Sequence, residues 1–175
     1  GENGGWTQRV DLLHTQLGEP EELSVTVGGD EVPWTFAEDI YVSTLQPVDR
    51  TAIDDAEMVF VGYGVDAPER QWDDFGDVDL KGKVAVFLVN DPDFEATEGD
   101  PVAGKFSGQA MTYYGRWSYK FEEADRRGAI GALVVHDTPG AGYGWSTVIS
   151  GGGENYGLVR APEDVTSLKL QGWIS

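Results

Sequence analysis

Few residues in this chain could do chemistry, and their spacing limits what they can do. A catalytic zinc ion needs histidine and carboxylate ligands at workable spacing. Only two histidines occur, His14 and His136, and neither belongs to an H-E-x-x-H or His-x-Asp pattern. A structural or solvent-facing role is expected for both. Nucleophilic catalysis is no better supplied: there is no G-x-S-x-G elbow, and serines such as Ser107 have no evident base. Cysteine is absent, which excludes disulfides and thiolate metal sites.

The acidic series Asp91, Asp93, Glu95, Glu98 and Asp100 is the candidate for a cation. Its first three members have the odd-position spacing of an EF-hand loop. Ala96 stands where that loop needs glycine, however, and Val102 where it needs a bidentate glutamate. The EF-hand reading fails. A solvated acidic loop is the expectation, with an irregular calcium site as the alternative.

Recognition is better represented than reaction. Tyr113, Tyr114, Trp117 and Tyr119 cluster around a helix start, and Tyr143 and Trp145 stand among Gly140, Gly142 and Gly144. Aromatic rings beside an arginine bury large area at low entropic cost. Arg116 sits near the helix N-terminus, where a cation is unfavourable for the helix, so its placement points to a partner carboxylate. Arg116, Tyr143 and Trp145 are therefore the candidate binding residues, with the two rings at least partly exposed on a flexible loop. The alternative for Trp145 is that it folds back to plug the end of the core.

The elements that would hold these residues are legible in Met111–Asp137. Trp117, Phe121, Ala124 and Gly128 recur at i, i+4, i+7 and i+11, which predicts one face of a helix packed on a sheet. Arg126 and Arg127 fall near its C-terminus, where cations are favoured, and Gly128 is placed to end it in a left-handed cap. Lys83–Val89 and Ile130–Val135 are unbroken apolar runs, as strands covered on both faces are, and should pair in parallel. Shorter strands are expected at Val10–His14, Leu23–Val27, Val32–Phe36, Ile40–Leu45, Glu57–Tyr63 and Thr166–Trp173. Asp66–Asp79 reads as loop with a short helical turn. The long patternless stretch between Val89 and Tyr113 should cover something or serve a function. The fold class is α/β: mostly β, with one main helix packed on a mixed sheet.

At 175 residues the chain suits one domain with a real core. Its formal charge of −19 opposes binding to nucleic acid or to an anionic membrane surface. No apolar run approaches the ~20 residues of a membrane-spanning helix, so no membrane insertion is expected.

The stretches Thr112-Tyr113-Tyr114-Gly115-Arg116-Trp117, Tyr119-Lys120-Phe121-Glu122-Glu123-Ala124, Gly128-Ala129, Gly131-Ala132-Leu133-Val134-Val135-His136 and Gly142-Tyr143-Gly144-Trp145 form an ordered set. This set resembles the protease-associated (PA) domain, more narrowly the one inserted in bacterial exported zinc aminopeptidases. Phe60-Val61-Gly62-Tyr63-Gly64, Trp72-Asp73-Asp74, Leu80-Lys81-Gly82-Lys83-Val84 and Val89-Asn90-Asp91-Pro92 support it. The resemblance implies a swivelling β/β/α fold and a single PA-like domain over residues 1–175, excised from a longer peptidase chain. Residues 1–10 and 170–175 would be its junctions to the peptidase domain. It also implies a non-catalytic role, covering or shaping substrate access, with zinc and the catalytic groups in the peptidase domain and no cofactor here. Implied partners are that peptidase domain and a peptide or protein substrate, in an exported enzyme. An independent peptide- or protein-binding module is the alternative, and an enzyme in its own right ranks below both.

Overall fold

A computed structural model describes residues 4–21 and 23–175. The elements run β1 Leu12–Gln16, β2 Leu23–Val27, β3 Asp30–Trp34, β4 Ile40–Ser43, β5 Met58–Phe60, β6 Asp66–Ala67, β7 Trp72–Asp73 and β8 Val84–Leu88. They continue with α1 Trp117–Arg126, β9 Gly131–Val135, α2 Thr138–Ala141, α3 Trp145–Val148, β10 Glu154–Leu158 and β11 Leu170–Ile174.

The centre is a five-stranded mixed sheet in the order β4-β11-β9-β8-β5. β5, β8, β9 and β11 run parallel, and β4 closes one edge antiparallel to β11. Both faces of this sheet are covered, which explains the unbroken apolar runs. Ala85, Phe87, Ala132 and Val134 point toward α1 and join Phe75, Leu80, Phe121 and Ala124 in one core. Val84, Val86 and Leu133 point the other way and pack with Ile40, Val42, Leu23 and Trp34, the last two from the β2–β3 hairpin. The class is thus α/β with a mixed sheet and few, short helices.

Gly172 lies in the interior strand β11, where a Cβ would come within 2.1 Å of the Tyr41 carbonyl oxygen of β4. No side chain fits there. Gly128 takes φ +76° after α1, and its N–H and that of Ala129 bond the carbonyls of Asp125 and Ala124. Arg127 closes the same turn by bonding Glu123 and Asp66, with its guanidinium 3.7 Å from the Phe75 ring centroid.

Several expectations need correcting. The first strand is β1, Leu12–Gln16, two residues beyond the predicted Val10–His14, and the predicted Glu57–Tyr63 contracts to β5. β10 was not expected; it pairs with β1 in a separate two-stranded ribbon. The glycine-rich stretch after Asp137 is wound into α2 and α3, with the Asp137 carboxylate accepting from the Gly140 N–H as a helix cap. Trp117 is not core: it is 47% exposed, whereas Phe121 is 7% exposed. Helical side chains lean toward the N-terminus, so the first residue of α1 projects past the start of the helix instead of down onto the strands.

The acidic loop is also only half solvated. Glu95, Glu98 and Asp100 are exposed, but Asp91 and Asp93 are buried. Asp93 accepts from the backbone N–H groups of Phe106 and Gly108, and Asp91 from the N–H and hydroxyl of Thr112. These carboxylates replace secondary structure as the organisers of the long loop.

Phe121→Ala should therefore cost about 3–5 kcal/mol, as truncation of a buried phenylalanine does. Trp117→Ala should stay below about 1 kcal/mol, as a surface change does. Urea denaturation of both variants checks the pair; equal losses would place both rings in the core.

Candidate functional site

The site is assembled where β8 ends. Its last bonded residue is followed by Val89 and then Asn90, which takes φ +80°, a left-handed conformation that asparagine tolerates better than most residues. In that turn the Asn90 side-chain N–H₂ donates to the Gly140 carbonyl at 2.7 Å, and the Asn90 N–H donates to the Gly115 carbonyl at 3.0 Å. The Asn90 Oδ1 accepts from the Asp91 N–H. Two distant segments, the α2 turn and the lead into α1, are thereby stitched to one strand end. Gly115 lets the two backbones approach closely: a Cβ there would lie 3.0 Å from the Asn90 carbonyl carbon and the Asp91 nitrogen, so a larger residue would push them apart.

Lys120 completes the floor. Its side chain has no solvent exposure, and Nζ donates to the carbonyls of Tyr63, Asn90 and Tyr114. Burial drives its amine pKa down to about 7, against the attraction of the Asp91 and Asp74 carboxylates. Asp74 is itself held by the Val65 N–H and the Trp72 indole, yet its burial raises its pKa.

Beside these buried groups opens a cleft of about 310 Å³, lined by Val89, Met111, Arg116, Trp117, Ser118, Ala141 and Tyr143. Arg116 immediately precedes α1 and is exposed. Among the described residues its guanidinium, like that of Arg160, has no ion-pair partner within 4.0 Å, whereas Arg9, Arg50, Arg70, Arg126 and Arg127 each have one. α1 carries no acidic residue in its first turn and no side-chain cap. On the other side of Trp117 a larger groove of about 500 Å³ runs between α1 and the β1–β10 ribbon. That groove includes the carboxylates of Glu122, Asp125 and Asp164.

Of the candidate binding residues, Arg116 and Tyr143 meet in the cleft and Trp145 does not. Trp145 is half-buried at the start of α3; its indole N–H donates to the Ala37 carbonyl at 2.8 Å, and its ring meets His136 edge-on. It packs against the main core, as the plug alternative describes. Tyr143 is half-buried too, with its carbonyl 3.0 Å from His136 Nε2. Met111 and Trp117 were missed as cleft residues. Position alone could have found Trp117, since the first residue of a helix has no turn before it to lie over.

Neither histidine is free of local partners. His14 Nε2 lies 3.0 Å from Glu154 and its ring stacks on Tyr156, while His136 sits in the ring cluster with Tyr143, Trp145 and Trp173. Among the described residues no group of three or more histidines and carboxylates stands close enough to hold a metal ion. No helix among them is long and apolar enough to cross a membrane. Comparison with family models, curated proteins and solved structures finds no match.

Because folding lowers the Lys120 pKa to about 7 from the usual lysine value of 10.5, the unfolded chain binds the extra proton between those values. Unfolding free energy should consequently rise with pH across that window. Lys120→Met should flatten the rise and lower stability throughout, since three buried carbonyls lose their donor. Urea titrations at pH 6, 7.5 and 9 check it; a profile unchanged by the substitution would remove Lys120 as its cause.

Proposed function

We propose that this chain is a non-catalytic, PA-like accessory domain of an exported zinc aminopeptidase, covering or shaping substrate access to an active site held in a flanking peptidase domain. The single observation that carries the reading is where the resembling motif residues go. The stretch Thr112–Trp117, with Val89-Asn90-Asp91 and Tyr143, builds a cleft with a cation and rings and no nucleophile–base pair among its lining residues. A binding wall is what such a set of side chains can supply.

The proposed neighbour has a surface to use. The outward face of the β1–β10 ribbon pairs Leu12 with Leu158 and His14 with Tyr156 across the strands. Leu12, Leu158, Tyr156 and Val159 are each more than half exposed, as is Val10 beside them. A two-stranded ribbon is marginally stable alone, and contiguous apolar faces mark interaction sites. The swivelling β/β/α arrangement is supported by the hairpin on one sheet face and α1 on the other. The second reading, an independent peptide-binding module, rests on the unpaired Arg116 and would leave the ribbon face without a use.

Expression of the gene with its flanking coding sequence tests this. Chromogenic aminopeptidase activity should appear only with the flanking part. Leu12→Glu combined with Leu158→Glu should lower that activity at least several-fold while the 175-residue chain alone keeps its melting temperature. Flanking sequence without a peptidase, or full activity in the double variant, would overturn the accessory reading or the ribbon's part in it respectively.

A further inference from the structure

The charge pattern of the cleft is the reverse of the chain's. Thirty-one of the 175 residues are acidic, yet none of them lines the cleft, where Arg116 is the one charged group. The neighbouring groove, across Trp117, is lined by three carboxylates and one cation, Arg160. The cation also stands at the one end of α1 where it costs the helix stability unless an anion meets it. Around it are Met111 and Trp117, 38% and 47% exposed, over a floor of Val89 that is 5% exposed. An exposed arginine beside solvent-facing rings lacks one thing, a carboxylate attached to apolar surface.

From these features we infer that the cleft binds the free C-terminal residue of a short peptide, its carboxylate on Arg116 and its apolar side chain between Trp117, Met111 and Tyr143. A guanidinium presents paired donors that match a carboxylate edge to edge. The cation and the apolar walls line one small cleft, so a ligand filling it carries its carboxylate close to apolar surface. A C-terminal residue meets that demand, because its α-carboxylate and side chain share a Cα. An internal aspartate or glutamate does not, since its side chain is the carboxylate. The volume of about 310 Å³ is at the small end for ligand pockets, suited to a chain end and not to a threaded segment.

The identity of this peptide as a substrate rests on the accessory-domain reading, in which a held C-terminus leaves the N-terminus free to reach the peptidase. Binding itself does not rest on it, so the test uses the 175-residue chain alone. N-acetyl-Leu-Phe as the free acid, the same dipeptide as its amide, and N-acetyl-Ala-Glu-Ala-amide are titrated by calorimetry and by chemical-shift perturbation of the Trp117 indole. The acid should bind with the amide and the internal glutamate at least about 10-fold weaker, the scale of one charge-assisted hydrogen bond. Arg116→Gln should reduce the acid to the level of the amide without lowering the melting temperature, and Arg116→Lys should restore part of the difference. Equal binding of acid and amide, no binding of the acid at 10 mM (about ten times the weakest useful affinity), or preference for the internal glutamate would each overturn the inference. A flanking peptidase with no such binding would leave the accessory reading standing while this inference falls.

Discussion

Lys120 sends an ammonium group with no exposure to the carbonyls of Tyr63, Asn90 and Tyr114. Those carbonyls belong to segments that follow β5, follow β8 and precede α1, where no ladder or helix supplies a donor. Burying one charge costs several kcal/mol, and the cost is offset only when every proton is bonded and countercharge is near. Here three acceptors match the ammonium's donors, and Asp91 and Asp74 provide the countercharge. The cation therefore fixes the relative positions of three loops at one end of the sheet. Two of those loops lie next in sequence to cleft residues, Asn90 after Val89 and Tyr114 two residues before Arg116.

The parts of the fold that sequence makes legible are those with local causes. Val84–Leu88 and Gly131–Val135 read as parallel strands because the β2–β3 hairpin and α1 shield their two faces and leave no room for polar alternation. Gly128 reads as a helix stop because glycine enters the left-handed region, here φ +76°, with no Cβ penalty. β10 is hidden for the opposite reason. Its inward residues are Asn155 and Gly157, while Tyr156 and Leu158 face outward, so the pattern that marks a strand is inverted. The exposure of Trp117 escapes notice because helical periodicity assigns a face without saying where along the axis the sheet stops.

Long-range bonding accounts for the remainder of the site. Asp91 and Asp93 look like members of a solvated acidic run, and their burial depends on Thr112, Phe106 and Gly108, between thirteen and twenty-one residues away. Nothing within the run separates them from exposed Glu95 and Glu98. Lys120 is similarly disguised, a lysine between Tyr119 and Phe121 whose acceptors come from three other segments. Arg116 and Tyr143 could be named from composition and placement, but their meeting depends on Asn90 joining Gly115 to Gly140.

A net charge of −19 would seem to argue against any anionic ligand. Distance decides otherwise. At physiological ionic strength exposed charges beyond about 8 Å are largely screened, so the many surface carboxylates set solubility and approach more than local affinity. Inside the cleft Arg116 stands with Trp117, Tyr143 and Met111 and with no carboxylate among the lining residues. An ion pair gains strength as water is displaced, provided the charge is not already spent on a partner. Glu122 is the carboxylate nearest in sequence, six residues on, and it accepts the Tyr113 hydroxyl instead. The same aromatic stretch that opens α1 thereby engages the acid nearest in sequence through Tyr113 and leaves Arg116 without an ion-pair partner among the described residues.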